Sequence, residues 1–190
     1  NKQSFYLDSQ VKRTTTNLIS DIQMKIKYNI KIKNLVVHVG INDCVPRLLS
    51  LKMRKIISRL PFFLREKIIK LLHKLRPQML NLSYKFRHER TWVPLSIFNK
   101  NLIKLKKICE HNKINLKFVN ISPPNDFLEN RSIGCSENIQ DFNNRIKNIL
   151  GKESMVDMNS IANKNLNQIM LSDGHHLSRK GHKELAVKIN

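Results

Sequence analysis

Apolar residues recur at helical spacing along three long stretches of the chain, and short runs rich in β-branched residues lie between them. The helical stretches are 14–29, 96–111 and 139–150, each with its apolar side chains on one broad face. The short runs at 34–39, 116–121 and 154–158 have the length of strands buried in a parallel sheet. Because helices alternate with strands, the pattern predicts an α/β fold with a parallel sheet.

Residues 48–92 interrupt this alternation. Their apolar residues again have helical spacing, and Pro61 and Pro77 divide the segment into two or three predicted helices. From 51 to 90 there are 12 Lys and Arg residues against 2 Asp and Glu residues, so this stretch carries +10 of the net charge of +21. We therefore expect one domain over 1–190, with a basic, amphipathic helical insertion at 48–92.

The net charge predicts an anionic partner, but charge alone does not choose among nucleic acid, a membrane surface, an acidic sugar and a nucleotide. Three uses of the insertion stay open: docking on an anionic membrane, a lid over an anionic glycan or nucleotide-linked substrate, and an ordinary hairpin with solvated charges. Aromatic residues at 84, 86 and 92 alternate with basic ones, as in proteins that stack single-stranded bases. No nucleic-acid-binding motif accompanies them, so nucleic acid is the least favoured partner.

The cysteines and the ends of the sequence bear on location. Cys44, Cys109 and Cys135 are odd in number and widely spaced, which predicts neither a disulfide framework nor a zinc site. This usage favours a reducing compartment, so we expect a cytoplasmic protein that is peripheral to a membrane if the insertion docks there. The sequence begins with Asn1 and ends within a helical pattern, and we interpret it as a fragment. Whether a targeting signal precedes Asn1 is therefore an open question.

A carboxylate and an imidazole lie three residues apart near the end of the chain. Gly174, where the chain can turn tightly, lies between Asp173 and His176, and Ser178 is placed to cap a closing helix. A rigid helix entry that holds Asp and His together suits a general base whose ring a carboxylate orients. The alternative is a polar loop whose histidines are only solvated.

A second polar motif follows the first predicted strand. Residues 40–43 (Gly-Ile-Asn-Asp) come where an open parallel sheet places its functional groups, past the carboxyl end of a strand. The amide of Asn42 can donate a hydrogen bond to a developing oxyanion. A simple turn is the alternative, since Gly and Asn favour turns. His38, within the strand, is expected to be a core or edge histidine.

Together the two motifs resemble conserved blocks of the SGNH, or GDSL-like, hydrolases. Residues 40–43 resemble the third block (Gly-x-Asn-Asp), and 173–176 resemble the fifth (Asp-x-x-His). The longer run 40–47 resembles a bacterial branch linked to capsule or lipopolysaccharide biosynthesis. The resemblance implies a three-layer α/β/α, flavodoxin-like fold and a serine esterase or O-acyltransferase acting on an acylated carbohydrate. It assigns Asn42 and Gly40 to an oxyanion hole, His176 as general base and Asp173 as its orienting residue, with no metal and no cofactor.

The nucleophile block of that family has no clear match. Residues 7–9 (Leu-Asp-Ser) lack its Gly and lie too close to Asn42 for an intervening strand and helix. Residues 13–16 overlie the second block better, which places the nucleophile upstream of Asn1, with Ser9 as the weaker candidate. Asp43 is expected to be structural. The alternative function is an inactive SGNH-like module that binds an anionic glycan or membrane surface through its basic insertion.

Overall fold

The computed structural model describes residues 8, 13–85, 91–163 and 165–189. Ser9 lies outside this part, and so do residues 86–90, which include Phe86 of the aromatic residues at 84, 86 and 92. The helices are α1 (Thr15–Lys27), α2 (Ile41–Cys44), α3 (Leu51–Ser58), α4 (Phe62–Lys85), α5 (Leu95–His111), α6 (Asp126–Arg131), α7 (Cys135–Leu150), α8 (Asn159–Ala162), α9 (Leu166–Ile169) and α10 (Arg179–Ile189). The strands are β1 (Asn34–Val37), β2 (Asn115–Val119) and β3 (Met155–Val156).

The three strands form one parallel sheet in the order β1-β2-β3. Val37 is paired with Phe118, and Phe118 with Met155, so the carboxyl ends of all three strands meet at one edge. The first crossover contains α2 to α5, and the second contains α6 and α7. This mixture of helices with a parallel sheet agrees with the predicted α/β class.

The core packs on both faces of β2. Successive side chains of a strand point to opposite faces, and Phe118 and Val119 accordingly belong to two different hydrophobic clusters. The Phe118 cluster is built mainly from α1, α5 and α7, where the rings of Phe98 and Phe142 lie 4.5 Å apart. The Val119 cluster joins β3 to the last three helices through Met158 and its neighbours. The apolar faces predicted for α5 and α7 are therefore the faces that are buried, and so is that of α1 apart from Met24, which is 50% exposed.

Strand β1 is more exposed than its sequence predicts. Only Val37 is buried, while the side chain of Val36 is 44% exposed and His38 is exposed. The prediction of a buried strand was wrong here because β1 is the strand farthest from β3, and the Val119 cluster contains no residue of β1, so one face of β1 is left uncovered by that cluster.

The insertion forms two helices, and α4 runs through Pro77 without ending. The prediction that Pro77 separates helices was wrong, although a proline inside a helix removes one backbone hydrogen bond. Tertiary contacts hold the helix on either side: Arg76 donates to the carbonyl of Arg131 (2.8 Å) and to Ser132 Oγ (3.0 Å), and Leu80 is buried. Among the described residues, no helix combines the length and apolar character that crossing a membrane requires.

Candidate active site

The loop between α9 and α10 holds Asp173 and His176 in direct contact. Asp173 Oδ2 lies 2.6 Å from His176 Nδ1, and Asp173 Oδ1 accepts from the backbone N–H groups of His175 and His176, both at 3.1 Å. The loop is closed at its base, where the N–H of Leu171 donates to the carbonyl of His176 (2.8 Å). Ser178 Oγ accepts from the N–H of Gly181 at 3.1 Å, which is the predicted helix cap.

Close packing at two glycines fixes the loop against its surroundings. Gly174 has a φ of +77°, and a Cβ there would lie 2.0 Å from Asn125 Oδ1. Asn125 follows β2 and donates to the carbonyl of Ser172 (3.4 Å). A Cβ at Gly181 would lie 2.3 Å from the carbonyl oxygen of Ile169, so α10 packs directly on α9. The Asp–His loop is therefore packed against the start of α6, the helix that follows the central strand β2.

The electrostatics of the pair suit a general base. Partial burial opposes ionisation of Asp173, but hydrogen bonds from the side chain of His176 and from two backbone N–H groups outweigh it and lower the pKa of Asp173 to about 2. The ionised carboxylate makes His176 Nδ1 the hydrogen-bond donor, which leaves Nε2 as the proton acceptor. The His176 side chain is 66% exposed, and within the described part of the chain its Nε2 has no hydrogen-bond partner.

His175 adds a third polar side chain that sequence reasoning missed. Its ring centroid lies 4.1 Å from that of His176, and its Nδ1 lies 3.5 Å from Asp173 Oδ1. One ligand atom each from Asp173, His175 and His176 lie within 4.8 Å of one another, which is close enough for a divalent cation. His175 occupies a variable position of the Asp-x-x-His motif, so the motif does not predict a role for it.

Asn42 lies at the start of α2, just past β1. Gly40 has a φ of +126°, and a Cβ there would come within 2.8 Å of the Ile121 side chain, which follows β2. The Asn42 amide donates to the carbonyl of Arg13 (3.3 Å), and its Oδ1 accepts from Arg47 (3.2 Å). Because an amide nitrogen carries two protons, one remains for a further acceptor. The contact also places Arg13 beside Asn42.

Asp43 lies next to Asn42, and its contacts hold two elements of the fold together. Its fully buried carboxylate accepts from the Thr15 backbone N–H (3.0 Å) and hydroxyl (2.5 Å), and Asn101 donates to that hydroxyl (2.9 Å). Burial raises the pKa of Asp43 to about 6, and the hydrogen bonds from Thr15 partly offset this effect. The carboxylate thus ties the loop after β1 to the first turn of α1.

The predicted residues fall in two groups at one edge of the sheet. Gly40 contacts the segment after β2 near Ile121, and Gly174 contacts the same segment near Asn125. Within the described residues, no hydrogen bond joins Asn42 to Asp173 or His176. The structure therefore forms the Asp–His pair and brings Asn42 to the same edge.

No protein-family model matches the chain, and no curated protein is significantly similar to it. The resemblance to SGNH hydrolases accordingly rests on the two motifs and stays a prediction.

Proposed function

We propose that the protein is an SGNH-like serine esterase or O-acyltransferase that acts on an acylated carbohydrate. The observation that carries the proposal is the 2.6 Å contact between Asp173 Oδ2 and His176 Nδ1, with Nε2 left open to solvent. An imidazole that is oriented by an ionised carboxylate and free at its other nitrogen is the arrangement a serine nucleophile needs.

The proposed chemistry proceeds through an acyl-enzyme. His176 Nε2 takes the proton of a serine hydroxyl from a segment upstream of Asn1, and the serine oxygen attacks the ester carbonyl. Asp173 stabilises the imidazolium that forms, while the free amide proton of Asn42 and the backbone N–H of Gly40 donate to the tetrahedral oxyanion. The imidazolium then protonates the departing sugar oxygen. Water, or a second sugar hydroxyl in a transferase, accepts the acyl group by the reverse steps.

The fold supports the same proposal. Hydrophobic clusters on opposite faces of β2 are what a three-layer α/β/α arrangement requires. The loops bearing Gly40, Asn42 and Asn125 lie at the carboxyl edge, where open parallel sheets place their sites. The cytoplasm remains the proposed location, because the three cysteines are unpaired and buried.

Ester hydrolysis is the test of this function. The chain extended upstream to its first Gly-Asp-Ser is expected to hydrolyse p-nitrophenyl acetate and to release acetate from an O-acetylated oligosaccharide. Its rate should be unchanged by EDTA, and His175→Ala should keep most of it, because neither a metal nor His175 takes part. Loss of activity with EDTA and its return with a divalent cation would instead establish the Asp173, His175 and His176 trio as a metal site.

A second candidate function is docking on an anionic membrane, and the exposed apolar side chains of the insertion favour it. Phe62 and Phe63, the first two residues of α4, are 69% and 61% exposed. Further exposed apolar residues on the two helices are Met53, Ile56, Leu64, Leu71, Leu75 and Leu82. Lys and Arg residues flank them, which is the composition of helices that lie in an anionic membrane surface.

Vesicle binding tests this second candidate. The protein is expected to co-sediment with vesicles containing phosphatidylglycerol and not with pure phosphatidylcholine vesicles. Replacing both Phe62 and Phe63 with serine should weaken binding by about tenfold or more, because each buried aromatic side chain contributes about 1.5–3 kcal/mol. Phe127→Ser, which removes an exposed aromatic outside the insertion, is the matched control. Equal loss in both variants would contradict docking through the insertion.

A further inference from the structure

A large cavity lies between the helical insertion and the α/β core. Its volume is about 1090 Å³, slightly more than is usual for a small-molecule site. The walls come from the N-terminus of α1, the segment after α2, helices α3 and α4, and the region of Trp92. Neither Asn42 nor His176 lines it, so the cavity is separate from the Asp–His pair. It adjoins Asn42 through Arg47, which lines the cavity and donates to Asn42 Oδ1 (3.2 Å).

Positive charge dominates the cavity wall. The cationic side chains that line it are Arg47, Arg54, Lys55, Arg65, Arg76 and Arg131. No Asp or Glu of the described residues lines the cavity, and none of these cations forms an ion pair with a described carboxylate. Cations on a single surface helix usually extend separately into solvent. These cations instead come from four segments of the chain, namely the segment after α2, α3, α4 and the end of α6, and they line the same cavity.

The arginines crowd each other at Trp92. The guanidinium carbons of Arg47 and Arg54 lie 4.4 Å and 5.1 Å from the centre of the Trp92 ring. Burial, together with the charges of Arg54 and Arg76, lowers the pKa of Arg47 to about 10. Arg47 Nε and Trp92 Nε1 are buried and have no hydrogen-bond partner among the described residues. Buried donors are normally satisfied, so these two unpartnered donors mark a cluster whose hydrogen-bonding capacity the described residues do not fill.

We propose that this cavity binds a phosphate-bearing small molecule, with Arg47 and Arg54 as its principal phosphate ligands. Guanidinium groups match phosphate geometry through paired N–H donors, and a multiply charged anion would offset several of the converging cations at once. Apolar side chains also line the cavity and would accommodate an uncharged part of the ligand: Leu48, Leu49, Ile57, Ile69 and Leu72. The proposal does not depend on the acyl chemistry of His176.

Inorganic pyrophosphate is the first probe. Trp92 is the only tryptophan of the chain, so its fluorescence reports on this cavity alone. We expect a saturable, single-site change in emission, and Arg54→Gln should weaken the affinity by about tenfold or more, since a hydrogen bond to a charged group contributes that much. Calorimetry measures the affinities of Arg54→Gln and Arg47→Gln independently, because losing either guanidinium beside the Trp92 ring alters the fluorescence itself.

Arg59→Gln is the matched control. Arg59 follows the same helix as Arg54, is exposed and does not line the cavity. Its substitution should change the affinity less than twofold. Absence of saturable binding, or equal weakening by Arg54→Gln and Arg59→Gln, would overturn the proposal and leave only diffuse attraction by net charge.

Two further ligands identify the source of the phosphate. Tighter binding of uridine diphosphate than of pyrophosphate supports a nucleotide ligand, and tighter binding of dihexanoyl phosphatidic acid below its micellar concentration supports a lipid. If neither binds more tightly than pyrophosphate, the cavity is a site for the inorganic anion. Each of the three results is consistent with phosphate binding in the cavity, provided that Arg54→Gln weakens binding and Arg59→Gln does not.

Discussion

Replacing His176 with alanine is expected to lower kcat for ester hydrolysis by at least about 10²-fold and to leave KM nearly unchanged. The imidazole contributes by taking the serine proton in the transition state, so its loss removes stabilisation that the bound substrate does not yet have. The ring is 66% exposed and its Nε2 has no partner within the described residues, so the substitution leaves the fold intact.

Two further variants separate catalysis from structure. His175→Ala removes the adjacent imidazole, which lies 4.1 Å away centroid to centroid, and should retain most of the activity. Asp173→Asn keeps the shape of the side chain but loses the charge that fixes the His176 tautomer, and it should lower kcat by about 10²-fold or more. Equal activity of the His176→Ala and wild-type enzymes would contradict the assignment of His176 as general base.

The free energy of unfolding is expected to fall as pH rises from about 4 to about 6, because of Asp43. Burial raises the pKa of Asp43 from its ordinary value of 3.8 to about 6. Between these values the folded protein keeps the proton longer than the unfolded chain, so raising the pH favours unfolding. The difference corresponds to about 3 kcal/mol, which is present in full below about pH 4 and lost above about pH 6.

Urea unfolding at a series of pH values checks this prediction. Asp43→Asn keeps an oxygen to accept from the Thr15 N–H but does not titrate. The free energy of unfolding of this variant should therefore rise relative to that of the wild type as the pH increases through this range. Asp141→Asn, which removes an exposed carboxyl group on α7, should follow the wild-type curve. Parallel curves for Asp43→Asn and the wild type would mean that the carboxyl is better solvated than its burial indicates.

Elements that local pattern determines were predictable from the sequence. The apolar faces of α1, α5 and α7 follow from 3.6-residue spacing, and they are the faces that pack in the core. The capping role of Ser178 and the turn at Gly174 follow from the chemistry of single residues. The Asp–His contact could be predicted as well, because three residues and one turn separate its two members.

Features that depend on distant contacts could not be predicted. The exposure of β1 depends on the sheet order, and the continuity of α4 through Pro77 depends on contacts made by Arg76 and Leu80. The arginine cluster at Trp92 was missed because Trp92 is far from Arg47 and Arg54 in sequence, and each arginine resembles an ordinary solvated charge. The role of Asn125 beneath Gly174 was missed for the same reason, since 49 positions are bridged only by folding.

The measurement that tests the central claim most directly is the intact mass of the extended chain during its reaction with p-nitrophenyl acetate. The account predicts rapid addition of one acetyl group to a serine upstream of Asn1, with its appearance slowed at least about 10²-fold in His176→Ala. A folded chain that turns over the ester without a covalent intermediate, or acetylates equally fast in His176→Ala, would contradict serine catalysis by the Asp173–His176 pair.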